Sequence, residues 1–343
     1  AVEDLNAIKP RIDNGFSTFM LKMGSRSVED DLVRLRDVIQ AIPSNVRVMV
    51  DANQGWNREE AVTFLDGIGD LPLVLVEQPV KANDHESLIQ LKKVSPVPVS
   101  VDESLQTVED ARIIAKKQAA SVFSIKVSKN GGLRAGLEIG HIAQENGISV
   151  LMNSMLELGI TQCASLHLGC VLHSILDCGH AYMSTLRMSD DITDFSDFIH
   201  QGKARLPSGP GLGIRVDEKK IRKLFSQTDI CINLIGILYE SGKGNTFKNI
   251  HSIFPSILSK LCKEYKVQQF IHLSALGINN ALDSEYAKSK LDGELNIQKN
   301  FPLAIILRPS VVYSVDDNFT TNFMTLLNRL PIFPLYYNGK TKF

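Results

Sequence analysis

The sequence predicts an α/β chain in two parts: an incomplete (β/α)8 TIM-type barrel, then a smaller, partial α/β unit. Three observations carry this. Apolar runs alternate with amphipathic stretches from residue 1 to about 220, and strands alternating with helices imply parallel strands joined by right-handed crossovers. Five of those runs, 18–21, 46–50, 73–76, 97–101 and 121–125, each end on a charge: Lys22, Asp51, Glu77, Asp102 and Lys126. The spacings of 29, 26, 25 and 24 residues suit one strand plus one crossover helix. After Leu224 the texture changes, and a second alternation opens with the near-continuous apolar run 229–238.

In order, 2–12 reads as a helix and the run ending at Lys22 as a strand. Residues 30–42 form an amphipathic helix closed by Pro43, before the strand at 46–50. Helices at 58–65, 85–94, 107–119 and 133–145 lead to strands at 73–76, 97–101, 122–125 and 148–152. Six strands are thus expected, near Phe19, Val48, Val74, Val99, Phe123 and Val150, with another near 175–177. An eight-stranded barrel needs a strand ahead of the opening helix, so its first strand is expected to be missing here. Residues 197–216 are polar and end in Leu206-Pro-Ser-Gly-Pro-Gly-Leu-Gly213, a G-x-G-x-G pattern. Pro210 lies inside it and extended residues follow, so a turn-rich tail across the barrel is expected rather than a dinucleotide loop. In the second part, 249–265 and 284–299 read as helices, and 270–274 and 303–307 as strands.

Composition narrows the class. The chain has 343 residues, 44% hydrophobic, with a formal net charge of −1. That balance points to neither nucleic acid nor an anionic membrane surface. No apolar run reaches the length of a membrane span, and no signal peptide is expected. The five cysteines, Cys163, Cys170, Cys178, Cys231 and Cys262, show no metal-like spacing. An odd, scattered set reads as reduced thiols, hence a cytoplasmic location.

In a parallel barrel every strand ends on the same face. The ladder therefore gathers three carboxylates with an ammonium at each flank, an arrangement costly to hold unless a divalent cation sits among them. Mg²⁺ suits such an all-oxygen set. Taking a proton from the carbon alpha to a carboxylate leaves charge on adjacent oxygens, which a hard cation stabilises. A lysine serves as the base only if its pKa falls well below about 10.4. Read singly, an Asp at a strand end is a cap or turn former, and Lys22 a surface lysine; order and spacing together lift them above that.

The first 222 residues resemble the barrel of the enolase superfamily, in its mandelate racemase/muconate lactonising enzyme group. The matching text is Leu21-Lys22-Met23-Gly24, Asp51-Ala-Asn-Gln-Gly-Trp56, Val76-Glu77-Gln78-Pro79, Asp102-Glu-Ser104 and Ile125-Lys126, followed by Lys129-Asn-Gly-Gly132 and Met155-Leu-Glu157. The resemblance implies catalytic Lys22 and Lys126 on opposite faces of the substrate carbon. It implies Asp51, Glu77 and Asp102 as Mg²⁺ ligands, and Asn53, Glu157 and Asp177 as substrate-binding residues. The partner is then a small-molecule carboxylate. Two departures stand out. Met20 occupies the position of the first lysine of the family's Lys-x-Lys, and Asp177-Cys-Gly179 keeps half of the Asp-x-Asp with which dipeptide epimerases hold an ammonium. The capping domain that closes such sites lies upstream in the family and is expected to be absent here, so poor Mg²⁺ binding and slow turnover or none are expected.

The later part resembles an atypical extended short-chain dehydrogenase/reductase, close to the NAD(P)-binding subunit associated with respiratory complex I, over about 228–343. The text is the run around Asn233 and Gly236, His272-Leu-Ser-Ala-Leu-Gly277, Ser284-Glu-Tyr-Ala-Lys-Ser-Lys290 and Leu307-Arg-Pro-Ser-Val-Val312. It implies a partial Rossmann-like unit with Ser274, Tyr286 and Lys290 at a cofactor site, Lys290 lowering the Tyr286 phenol. Without the Gly-rich turn, weak or no NAD(P) binding is expected. The expected domains are 1–224 and 225–343, the pattern of two joined gene fragments or of a frameshifted or misassembled reading frame.

Three functions follow. The first is a Mg²⁺-dependent epimerase or racemase acting alpha to the carboxylate of a dipeptide or amino-acid derivative. The second is a muconate-type cycloisomerase or acid dehydratase on the same barrel. The third is a non-catalytic fusion in which the NAD(P)-binding, respiratory-complex-like fragment matters.

Overall fold

Strands that are apolar on both sides need cover on both faces, and the first part of the chain supplies it. The computed structural model describes residues 1–240, 246–281 and 283–310. It divides into two units, Ala1–Asp217 and Glu218–Phe343. The first unit runs α1 (Val2–Asp13), β1 (Thr18–Lys22), α2 (Val28–Ala41), β2 (Arg47–Asp51), α3 (Arg58–Ile68), β3 (Leu73–Glu77), α4 (His85–Val94), β4 (Val99–Val101), α5 (Val108–Lys117), β5 (Val122–Ile125), α6 (Leu133–Glu145), β6 (Ser149–Met152) and α7 (Gly159–Val171). The six strands pair in parallel and in sequence order, a half-barrel sheet. Of the strand expected near 175–177, one bridge forms, Val150 to Ile175. A two-stranded hairpin, β7 (Ile199–His200) and β8 (Lys203–Ala204), lies in the tail.

Local chemistry sets the helix starts. Asn57 with Glu60, and Thr107 with Asp110, form capping boxes on α3 and α5. Ser27 and Asp84 cap α2 and α4. Helix α7 was not anticipated. Its N-cap is Leu158, without a capping side chain, and its sequence is apolar nearly all round because it is buried on several sides.

Side chains alternate across a strand, and this places the site. Val48, Val50, Val76, Phe123 and Val150 pack in the large core shared with the helices. Met49, Leu75, Val122 and Leu151 form a second cluster, joined by Met20 and Leu176. Two residues further along that second face come Lys22, Asp51, Glu77, Ser124 and Asn153, a polar layer over an apolar plug. Register aligns Lys22 with Asp51, Asp51 with Glu77 and Glu77 with Ser100. Asp102 lies two residues beyond Ser100, as strands tilted in a barrel require. The loops after β1 and β2 meet closely. A Cβ on Gly55 would stand 2.4 Å from the Gly24 oxygen, and Gly24 has φ +82°.

The second unit contains α8 (Glu218–Ser226), β9 (Ile230–Asn233), a π-helical turn (Lys248–Ile253), α9 (Phe254–Glu264), β10 (Gln269–Leu273), α10 (Glu285–Asn300) and β11 (Ile305–Leu307). Its sheet is parallel, in the order β11-β10-β9. It begins at Glu218, ahead of residue 225, because Arg222 on α8 bonds Tyr265 and Phe225 joins the Cys262, Val267, Phe270 and Ile297 cluster. The expected strand 229–238 stops at Asn233, whose side chain accepts the Ile235 N–H while the Ile237 N–H donates to His251 Nε2. The expected helix at 249–265 opens as a π turn; Pro255 has no N–H to donate to the preceding turn. Val311, Val312 and the chain to Phe343 lie outside the described residues. Among the described residues no helix is long and apolar enough to cross a membrane, and all five cysteines are free.

His251 and His272 are buried in this unit. His251 Nε2 accepts from Ile237, so its Nδ1 carries the proton toward Ser289. Burial and then Lys290 push both imidazoles down to about 4. Unfolded, they protonate near 6.5; folded, they stay neutral to about 4. Stability is therefore full above about 6.5 and falls as pH drops from there toward about 4. Hydrogen exchange is expected to show α9 and α10 amides losing protection across that window.

Candidate active site

Each predicted charge stands where its strand ends. Lys22, Asp51 and Glu77 close β1, β2 and β3; Asp102 and Lys126 directly follow β4 and β5. Asp51 and Glu77 are wholly buried, Asp102 and Lys126 nearly so. Lys22 Nζ bonds Asp51 Oδ2. Lys126 Nζ reaches Asp102 Oδ2 at 2.5 Å, and Lys129 Nζ reaches Asp102 Oδ1 at 2.5 Å.

Glu77 is the least compensated. Burial, then Asp51 and Asp102, push its pKa up to about 8, against weaker help from Lys126 and Ser124. Burial works against the Asp102 carboxylate too, but Lys129 and Lys126 hold it below its usual range. For Lys126, burial alone lowers the ammonium pKa, yet Asp102 overrides it and raises it. The depressed pKa expected of a lysine base is thus absent at Lys126 in this arrangement, because a carboxylate sits on its Nζ.

Neutral amides hold each charge in place. Gln78 Oε1 accepts from Asp102 N at 2.9 Å and Ser104 N at 3.1 Å; its Nε2 donates to Val80 O and Ser104 Oγ. Asn153 Nδ2 donates to both Glu77 oxygens, at 3.0 and 3.3 Å. Asn130 accepts from the Lys126 N–H and donates to Leu105 O and Gln106 O. The Asn53 N–H donates to Asp51 Oδ1, and its Nδ2 to Glu103 Oε1. Sequence reading assigned no role to Gln78, Lys129, Asn130 or Asn153. For Asn153 the signal was available: it continues the alternation of Leu151.

The other predicted substrate residues divide. Glu157 is half-buried and bonded to Ser128, Ser154 and Gln162. Burial raises its pKa, but the bonds from Ser154, the Met155 N–H and Ser128 prevail and lower it. It ties three elements beside the site. Asp177 is not brought to the ladder. Its carboxylate is open to solvent and meets Arg47 at 4.0 Å, at the opposite end of β2 from Asp51.

In the second unit, Ser274 follows β10, and Tyr286 and Lys290 lie on α10. Lys290 Nζ donates to Leu273 O at 3.3 Å and stands 5.9 Å from the Tyr286 ring centre. The phenol is not lowered by Lys290: burial pushes it up, and its ring packs edge-on against His251 and Phe247.

The donor set suits a hard divalent cation. Glu77, buried between two further carboxylates and pushed up to about 8, reports an excess of negative charge that such an ion would relieve. Among the described residues no three His, Cys, Asp or Glu side chains already stand as a ready ligand group; lysines hold Asp51 and Asp102 instead.

The family model described as enolase C-terminal domain-like matches residues 4–220. Muconate cycloisomerase 1 of Pseudomonas putida is 32% identical over 205 residues, 60% of this chain and 54% of that protein. Chloromuconate cycloisomerase CbnB of Cupriavidus necator is 32% identical over 204 residues, 60% of this chain and 55% of that protein. Among solved structures, muconate lactonizing enzyme from Pseudomonas putida superposes with a TM-score of 0.62 at 30% identity, covering 65% of this chain and 62% of that one. N-succinyl Arg/Lys racemase from Bacillus cereus gives 0.59 at 27% identity, covering 64% and 58%. All are enzymes. The chain spans about half the length of the curated relatives it matches.

Gln78→Leu leaves the buried N–H groups of Asp102 and Ser104 without an acceptor, each worth about 1–3 kcal/mol. A loss of about 2–4 kcal/mol is expected in denaturant unfolding followed by Trp56, the single tryptophan.

Proposed function

The chain belongs to the enolase C-terminal domain-like family, and from that premise we propose that its first unit moves a proton at the carbon alpha to a carboxylate, as an isomerase of the racemase or epimerase kind. The observation that carries this reading is the pair Lys22 and Lys126 flanking Asp51, Glu77 and Asp102. A divalent cation, Mg²⁺ by donor chemistry, would be held by those three carboxylates. When bound, it supplies stabilisation for the negative charge that develops on the substrate carboxylate. The residues do the rest. Lys22 and Lys126, released from Asp51 and Asp102, take and return a proton on opposite faces of the carbon. Asn153 and Gln78 keep Glu77 and Asp102 oriented while they do so. The buried plug beneath excludes water from that side.

Asp177, exposed and turned to Arg47, offers no grip for a free ammonium. This favours an N-acylated amino acid over a dipeptide with a terminal amine. A second reading, cycloisomerisation of an unsaturated dicarboxylate, is favoured by the cycloisomerases among the relatives. Nuclear magnetic resonance in D₂O with Mg²⁺ or Mn²⁺ separates them. The racemase reading expects deuterium at the α-carbon of N-succinyl amino acids, with Lys22→Met and Lys126→Met each losing exchange of one enantiomer by about 100-fold or more. Lactone formation from a muconate, without α-exchange of amino-acid derivatives, would replace it with the second reading.

For the second unit we propose a partial NAD(P)-binding-like organisation. Three parallel strands joined through helices, and Lys290 beside Tyr286 at the end of β10, support it. NADPH fluorescence titration is expected to show no saturable low-micromolar binding; saturation there would show a working cofactor site.

A further inference from the structure

The first unit holds a third lysine to which the proposed reaction gives no part. Lys129 sits on the turn between β5 and α6. Its Nζ donates to Asp102 Oδ1 at 2.5 Å, to the Asp102 main-chain oxygen at 2.6 Å and to the Ser124 main-chain oxygen at 3.4 Å. An ammonium has three N–H donors, and here each has an acceptor. The side chain is 8% exposed. Lys126 is as closed, at 9%, but among the described residues its Nζ bonds Asp102 Oδ2 alone. Lys22 is 64% exposed and bonds Asp51 Oδ2. Two lysines of the ladder therefore have donors to spare, and one has none.

We propose that Lys129 is the resident counter-ion of the site and the positioning residue of Asp102. It grips one carboxylate oxygen together with the backbone of the same residue, so Asp102 cannot turn. Lys126, on the other oxygen, is the exchangeable partner. Geometry supports the division: Lys129 Nζ makes three bonds to the ends of two strands, and Lys126 Nζ makes one. The part concerning the cation rests on the metal-dependent reading above; the anchoring of Asp102 does not.

The two lysines on Asp102 should then act on metal binding in opposite directions. Mn²⁺ titration of the full chain, read by the electron paramagnetic resonance of the free ion, tests this. Lys126→Met removes a competitor for Oδ2 and should tighten binding by roughly threefold or more. Lys129→Met releases Asp102 and should weaken binding by about tenfold or more. Lys129→Arg, which keeps charge and donors, should restore it to within roughly threefold of the parent. Binding by Lys129→Met as tight as the parent, or tighter, overturns the proposal. If the parent binds no Mn²⁺, the metal reading falls by itself. The anchoring role is then decided by thermal unfolding without metal. Loss of Lys129 should lower the midpoint by several degrees more than loss of Lys126, and equal losses overturn the proposal. Should Lys129→Met fail to fold, Lys129→Gln takes its place in both measurements.

Discussion

Three carboxylates held at one end of an apolar half-barrel sheet have to be balanced, and the architecture of the first unit follows from that demand. Asp51 and Glu77 have no solvent to spread their charge, and beneath them lies a plug of Met49, Leu75, Val122 and Leu151. In such surroundings an uncompensated charge costs several kcal/mol. The chain answers with ammonium groups from β1, from the end of β5 and from the turn after it. Asn153 then holds both Glu77 oxygens, the Asn53 N–H holds one of Asp51, and Gln78 and Asn130 fix the main chain at Asp102 and Lys126. The close approach of the loops at Gly24 and Gly55 belongs to the same arrangement, since it brings the end of β1 down onto the end of β2.

This balance divides labour among the cations. A carboxylate with two ammonium partners stays ionised; one with a single exposed partner is open to exchange. Asp102 is of the first kind and Asp51 of the second. The site is therefore unequal on its two sides, buried near Lys126 and open near Lys22. Met20 lies in the plug. There it adds apolar contact and no charge.

The second unit solves a related problem with the opposite sign. His251, His272 and Lys290 are buried together, and the one buried acid of α10, Glu294, is taken up by a bidentate bond from Arg308. The imidazoles stay neutral because burial and the Lys290 ammonium disfavour a second cation. His272 Nδ1 and the Asn233 side chain pair at 3.0 Å, joining the ends of β9 and β10.

The strands, most helices and the five charged strand ends of the first unit were legible in the sequence, because they rest on local signals: apolar runs, capping residues and a repeat close to 25 residues. Helix α7 was not, since a helix buried on several sides has no amphipathic face to read. Neither was the early stop of β9, which depends on an Asn side chain and a histidine 18 residues away from it in sequence closing one loop. The chain alone determined which charges gather and in what order. Tertiary structure decided which of them are free. The stagger of the sheet brings Gln78 and Asn153 onto their partners, gives Asp102 two lysines, and leaves Asp177 beside Arg47. Those contacts span roughly 25 to 130 residues of sequence and are set by strand tilt and loop closure, which no local pattern encodes.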